Sequence, residues 1–208
     1  MLHKCKGYDA SVDDRLLDAA VAVLAEHGHA GLTLERVADR AGRSRVTLWR
    51  QQVTQESLVD GLLARLTRDF RDAMWPALAE GGTGADRLGS ALAALCDVVD
   101  AHLPLLAVSD DVFDRAADRM RDITGQTFSF LDPFVASLRA GVADGSLTVG
   151  ESSVDDVATT VFATACWGYV HLRRRRGWPP ERARPPVLAL TVAGVGADLG
   201  GTASPTRR

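Results

Sequence analysis

Between residues 36 and 50 the chain carries Arg36, Arg40, Arg43, Arg45 and Arg50 against one acid, Asp39, although its formal net charge is −3. Ser44, Thr47 and Trp49 are interleaved with the last of these arginines in "AGRSRVTLWRQQVTQESL", residues 41 to 58. Guanidinium forks match phosphate oxygens and the guanine edge, hydroxyls serve backbone or base, and one aromatic lies among them. The chemistry these types support is recognition of a polyanion through a local basic patch. An acidic whole chain excludes indiscriminate nucleic-acid binding by the entire surface but not such a patch. The bland alternative is a helix face whose charges are simply solvated.

The surrounding pattern predicts how the patch is held. Ser11 and Asp14 read as a helix start, Leu16, Ala20, Val23 and Leu24 repeat at helical spacing, and Gly28 stops the run. Thr33 caps a short second helix with Leu34, Val37, Ala38 and Ala41, and Gly42 ends it. Ser44 caps a third with Val46, Leu48 and Trp49, and Thr54 caps a fourth with Leu58, Leu62, Leu66, Phe70 and Met74. Ala38 is small where two helices must cross closely, Gly42 tolerates a positive φ at the turn, and Leu48 fills the angle between them. That combination predicts a helix-turn-helix, with Val46 expected to face inward beside Leu48. The N-terminal end of the third helix adds a positive dipole end to the patch.

The remainder reads as further helices. "AEGGTGAD" (79 to 86) is a loop; a fifth helix carries Leu88, Leu92, Leu95, Val99 and Leu103 and is expected to end at Pro104. A short sixth spans about 111 to 120, and a seventh carries Phe128, Leu131, Phe134, Leu138 and Val142 with a bend expected at Pro133. "ADGSL" (143 to 147) is a turn. An eighth starts at Ser153, runs to Arg176 and is apolar nearly all round, so it must be covered all round. The ninth is expected after Pro185 and Pro186. No strand pattern or internal repeat is found, so the class is all-α with about nine helices.

At 208 residues and 46% hydrophobic content, the chain can bury a real core. The N-terminus lacks an apolar leader and no stretch reads as a membrane span, which predicts a cytoplasmic protein. Cys5, Cys96 and Cys166 are widely spaced and read as inert thiols, so no metal site is expected. There is no Gly-rich phosphate loop, metal spacing or Gly-x-Ser-x-Gly, and the pairs Asp110-Asp111 and Asp155-Asp156 diverge on a helix, so an enzyme is not expected. "HLRRRRGW" (171 to 178) places four arginines all round a helix end, where they suit its dipole better than a groove. Trp75, His102, Phe113, Met120, Phe128, Phe134, Trp167, Tyr169 and His171 supply aromatic walls and a few polar handles for a small-molecule pocket, or are plain core.

The stretch "DDRLLDAAVAVLAEHGHAGLTLERVADRAGRSRVTLWRQQVTQESLVDGLLARL" (13 to 66) resembles the DNA-binding region of TetR-family transcriptional regulators. "RAGVADGSL" (139 to 147) is also similar to that family. The resemblance implies an N-terminal helix-turn-helix DNA-binding domain (1 to 60) and a C-terminal effector-binding and dimerisation domain (61 to 208). It implies a homodimer that binds a palindromic double-stranded DNA operator, as a repressor released by a small-molecule effector, with no cofactor. It implies phosphate contacts from Thr33 and Thr47, recognition-helix contacts from Arg43, Ser44, Arg45 and Arg50, Trp49 in place of a tyrosine on the DNA backbone, and a backbone position for Gln55. The chain departs from the family pattern at Gln51 and Gln52, where an aromatic pair is usual, at Gln55 where Lys is usual, and at Val46 where Gly is common. The competing reading is an all-α interaction module, or a regulator with degenerate DNA binding.

Overall fold

The computed structural model describes residues 12–79, 81–108, 111–124 and 129–196. Among these, nine α-helices form the regular structure, with one isolated antiparallel bridge between Leu147 and Gly196 and no strand. They are α1 (Asp14–His27), α2 (Leu34–Ala41), α3 (Arg45–Arg50), α4 (Gln55–Ala79), α5 (Gly84–Leu106), α6 (Val112–Thr124), α7 (Asp132–Asp144), α8 (Val154–Arg174) and α9 (Pro180–Gly194). The all-α class predicted from periodicity is the class that forms. Cys5, Ser11 and Phe128 lie outside the described residues.

Contacts divide the chain into two units. One comprises residues up to Asp72 with Val98–Phe130, and the other Ala73–Asp97 with the described residues from Leu131 onward. Both α4 (Gln55–Ala79) and α5 (Gly84–Leu106) contribute residues to each unit.

In the first unit, α1 is capped by Asp13, whose Oδ1 accepts from the Leu16 N–H at 3.1 Å. Leu16, Leu17, Val23, Leu24, Val37 and Leu48 are buried, with Leu58, Leu62 and Leu66 from α4. Phe130 takes an edge-to-face ring on each side, Phe70 at 4.8 Å and Phe113 at 4.9 Å. Pro104 does not end α5. The proline ring removes one N–H and crowds the preceding turn, and the helix answers with a kink at His102 (φ −112°, ψ 15°) and continues to Leu106. By length and composition α5 alone among the described helices could cross a membrane. It is a core helix here: Leu88, Leu92, Leu95 and Val99 are buried in protein.

In the second unit, α8 packs on α7 and α9, and Phe134 meets Phe162 edge to face at 5.6 Å. Ser153 caps α8 as expected, accepting from the Asp156 N–H at 3.1 Å. Two proline expectations are corrected. Pro133 lies in the first turn of α7 and bends nothing, because no intrahelical N–H is needed there. α9 begins at Pro180, also in a first turn, and carries Pro185 and Pro186 inside it. The carbonyls those two prolines leave without an N–H belong to Glu181 and Arg182, which are exposed residues that water reaches. Arg184 reaches Asp97 on α5 at 2.5 Å. Burial alone would lower its guanidinium, but Asp97 and Tyr169 hold it above its ordinary value. Cys96 and Cys166 are buried thiols, and burial pushes the Cys166 thiol up to about 12, which leaves it unreactive.

Candidate nucleic-acid interface

The turn between α2 and α3 forms because Gly42 adopts a left-handed conformation (φ 65°, ψ 36°), and the Arg43 N–H then returns to the Ala38 carbonyl at 2.9 Å. Ala38, buried, allows the crossing, and Leu48 is 1% exposed in the angle between the helices. With Leu48 inward, helical geometry places residues 46 and 50 about 160° away from it. Val46 is accordingly 56% exposed and Trp49 79% exposed. The inward assignment of Val46 is corrected on those grounds, and the same angular argument from Leu48 would have corrected it in the sequence. Ser44, Arg45, Thr47 and Arg50 are exposed too, so α3 presents one polar and apolar surface with a single buried anchor.

Several of the hydroxyls are already in use, without being exhausted. Thr33 caps α2, accepting from the Arg36 N–H at 3.3 Å, and Ser44 caps α3, accepting from the Thr47 N–H at 3.1 Å. Ser44 Oγ and Thr47 Oγ1 lie 2.8 Å apart, so that contact consumes one of the pair's two O–H groups and leaves the other for an incoming oxygen.

The arginines differ more than their count suggests. Arg40 pairs with Glu26 and Arg43 with Asp13, both on or beside α1, and Arg45 meets Glu35 of α2 at 3.3 Å. Arg36 donates to the Gly31 carbonyl at 3.1 Å. Arg43 is the most enclosed of the three paired guanidiniums, with 22% of its side chain exposed. Burial would raise the Asp13 carboxyl, but hydrogen bonds from Arg43 and the Leu16 N–H outweigh it and hold the group below the usual carboxylate range. Arg50 has no hydrogen bond or ion pair among the described residues. Surface pairs of the Arg45–Glu35 kind are worth on the order of 0–1 kcal/mol, so a phosphate can take the arginine over with little loss.

Gln51, Gln52 and Gln55 are exposed, and Gln52 has a φ of 56°, a left-handed conformation unusual for a residue with a Cβ. Gln55 opens α4, whose start is locked by reciprocal bonds: the Thr54 N–H donates to Ser57 Oγ at 2.9 Å and the Ser57 N–H to Thr54 Oγ1 at 3.0 Å. Beside α3, a hollow of about 340 Å³ is lined by Leu34, Arg45, Val46, Leu48, Trp49 and Val53.

The residues considered for a small-molecule pocket are divided between the units. His102, Phe113 and Met120 belong to the first, and Trp75, Phe134, Trp167, Tyr169 and His171 to the second. Phe134 and Tyr169 are fully buried core, while Trp75 and His171 are exposed. His102 is buried against Asp69. None of the eight that are described lines the cavity of about 630 Å³ between α8, α9 and the turn after Leu147, which is bordered by Thr148, Ser152, Thr160, Thr164 and Thr191. The basic run at the end of α8 is partly structural: Arg173 donates to the Trp178 carbonyl at 2.7 Å, and Arg182 of α9 lies 4.1 Å from the centre of the Trp178 ring. Among the described residues no group of acids, histidines or cysteines could hold a metal ion.

Residues 16–60 match the family model for bacterial regulatory proteins, tetR family. No curated protein matches the sequence. Solved structures share the fold. A bacterial regulatory protein in the tetR family from Rhodococcus RHA1 is 18% identical with a TM-score of 0.66, over 92% of this chain and 98% of its own. The ketosteroid transcriptional regulator KstR2 of Mycobacterium tuberculosis is 23% identical with a TM-score of 0.63, over 88% and 95%. The transcriptional regulator FadR from Bacillus subtilis, solved in complex with stearoyl-CoA, is 17% identical with a TM-score of 0.66, over 87% and 98%.

Proposed function

We propose, for a chain whose residues 16–60 belong to the tetR family of bacterial regulatory proteins, that it is a transcriptional regulator that binds a palindromic DNA operator as a homodimer and is released by a small-molecule effector. Residues up to about 60 dock α3 in the major groove, and the rest of the chain binds effector and dimerises. The observation that carries this reading is the surface of α3: Ser44, Arg45, Val46, Thr47, Trp49 and Arg50 all exposed around one buried leucine. A helix of six residues with that much outward chemistry has no comparable use in a core. Thr33 and Thr47 supply hydroxyls to phosphate, and Gln55 offers a neutral donor from the start of α4. The stearoyl-CoA in the FadR relative supports an effector, without naming this one. Effector binding acts by population shift, favouring a dimer whose two α3 helices no longer match successive major grooves about 34 Å apart. Such a protein works in the cytoplasm, as a repressor.

Selection of bound duplexes from a random pool, followed by fluorescence anisotropy across salt concentrations, tests the reading. Arg50→Ala should weaken operator binding at an unchanged melting temperature, because among the described residues nothing pairs with that exposed side chain. Loss of a phosphate contact would shrink the salt slope by about one, and loss of a base contact would relax preference at one position. Arg43→Ala should instead lower both affinity and melting temperature, since it also removes the partner of Asp13. An Arg50→Ala protein with wild-type affinity and specificity would remove α3 from the interface.

A further inference from the structure

Val46 and Arg50 stand side by side on the face of α3 opposite Leu48, each about 160° round from it. On a helix docked in the major groove, that face meets base edges and the flanks meet phosphates. Arg50 has five donors to offer a base. The Val46 isopropyl group, 56% exposed to water in the free chain, has neither donor nor acceptor. Pressed against an adenine or cytosine amino group, or a guanine O6 or N7, it would displace water and return no hydrogen bond. The one apolar feature a base pair shows in the major groove is the thymine C5 methyl. Trp49, the other large apolar side chain of α3, borders the same hollow as Val46 but stands only about 100° round from Leu48, on the flank of the helix and not on the face opposite Leu48. We propose that Val46 is a specificity-determining residue that reads a thymine methyl in each operator half-site. This rests on the DNA-binding reading above.

The probe is the preferred duplex obtained by selection, remade with each thymine in turn replaced by deoxyuridine, which removes only the methyl. Binding of the full-length protein and of Val46→Ala is measured at one fixed salt concentration. At one thymine per half-site, loss of the methyl should weaken the wild type about fourfold, the equivalent of one buried methyl-sized group, and leave Val46→Ala unchanged. Val46→Ala should melt with the wild type, because the side chain is exposed; if it does not, Val46→Thr keeps the shape, exchanges one methyl for a hydroxyl and should blunt the same preference. A selected operator in which no thymine couples to position 46, or whose half-sites hold no thymine, overturns the assignment while DNA binding stands. Failure to select any sequence overturns both.

Discussion

At the scale of single residues, His102 shows how burial sets chemistry. It is 4% exposed, and its Nε2 lies 2.9 Å from Asp69 Oδ2. Burial pushes its pKa below the ordinary value, and the attraction of Asp69 recovers only part of the loss, with Arg65 and Arg68 pressing the same way as burial. The imidazole is therefore neutral near pH 7 and donates its Nε2–H to the carboxylate; the contact is a hydrogen bond more than an ion pair. As pH falls, the unfolded chain takes up this proton first, so the stability it contributes is complete above about 6.5 and lost as pH drops through that value toward the folded pKa. Melting temperatures between pH 7.5 and 5.5 should fall for the wild type and be flatter for His102→Gln, which keeps a donor but cannot titrate. Equal slopes in the two proteins would mean other groups dominate. The basic patch was legible in the sequence as a charge window, but its arginines were not separable there. The carboxylates that hold Arg43, Arg40 and Arg45 come from 30, 14 and 10 residues away, and only folding brings them in. Val46 was legible in principle and misplaced because inward residues were judged by type, when the angle from Leu48 was decisive.

Among the elements, the segment "RAGVADGSL" was recognisable before its reason was. Gly141 lets α5 cross α7: a Cβ on Gly84 would stand 2.0 Å from the Gly141 nitrogen, and one on Gly141 would stand 2.4 Å from Leu147. Asp144 then caps α5, accepting from the Gly84 N–H at 2.7 Å, while Ser146 Oγ accepts from the Ala85 N–H at 3.1 Å. Bonds from Ser146, and from the Gly84 N–H, hold the Asp144 carboxyl below its usual range. Gly145 turns the chain at φ 77°, and Leu147 is buried. One loop therefore ends α7, starts α5 and closes the unit. Gly84→Ala should cost about 1–3 kcal/mol or more in urea unfolding, because the blocking atoms are backbone and cannot rotate away. A loss below about 0.5 kcal/mol would show that the crossing is looser than the distances require. The helices themselves were readable from periodicity and caps; their ends at proline were not. Whether a proline stops, kinks or opens a helix depends on its distance from the first turn, and Pro104, Pro133 and Pro185 each fell on the other side of that rule.

For the whole molecule, the proposed function needs two copies, since one α3 reads only one half-site. α8 and α9 carry the surface that suits this. Thr160 and Thr164 on α8 are exposed along the 630 Å³ cavity shared with α9, and Leu190 on α9 is 76% exposed. Small and hydroxylated side chains let helices approach closely, and a large leucine gives such an interface an anchor. We expect light scattering after size exclusion to give a dimer at micromolar concentration, and Leu190→Arg to give a monomer of unchanged helical content, since burying two unpaired cations across a two-fold axis is prohibitive. The same variant should bind a single half-site as the wild type does but lose most of its affinity for the full palindrome, because the second half-site is then an independent encounter and no longer a tethered one. If Leu190→Arg remains dimeric, the pairing surface lies elsewhere. If it is monomeric yet binds the palindrome at full strength, the operator is not read by a preformed pair, and the spacing of two α3 helices cannot be what an effector controls.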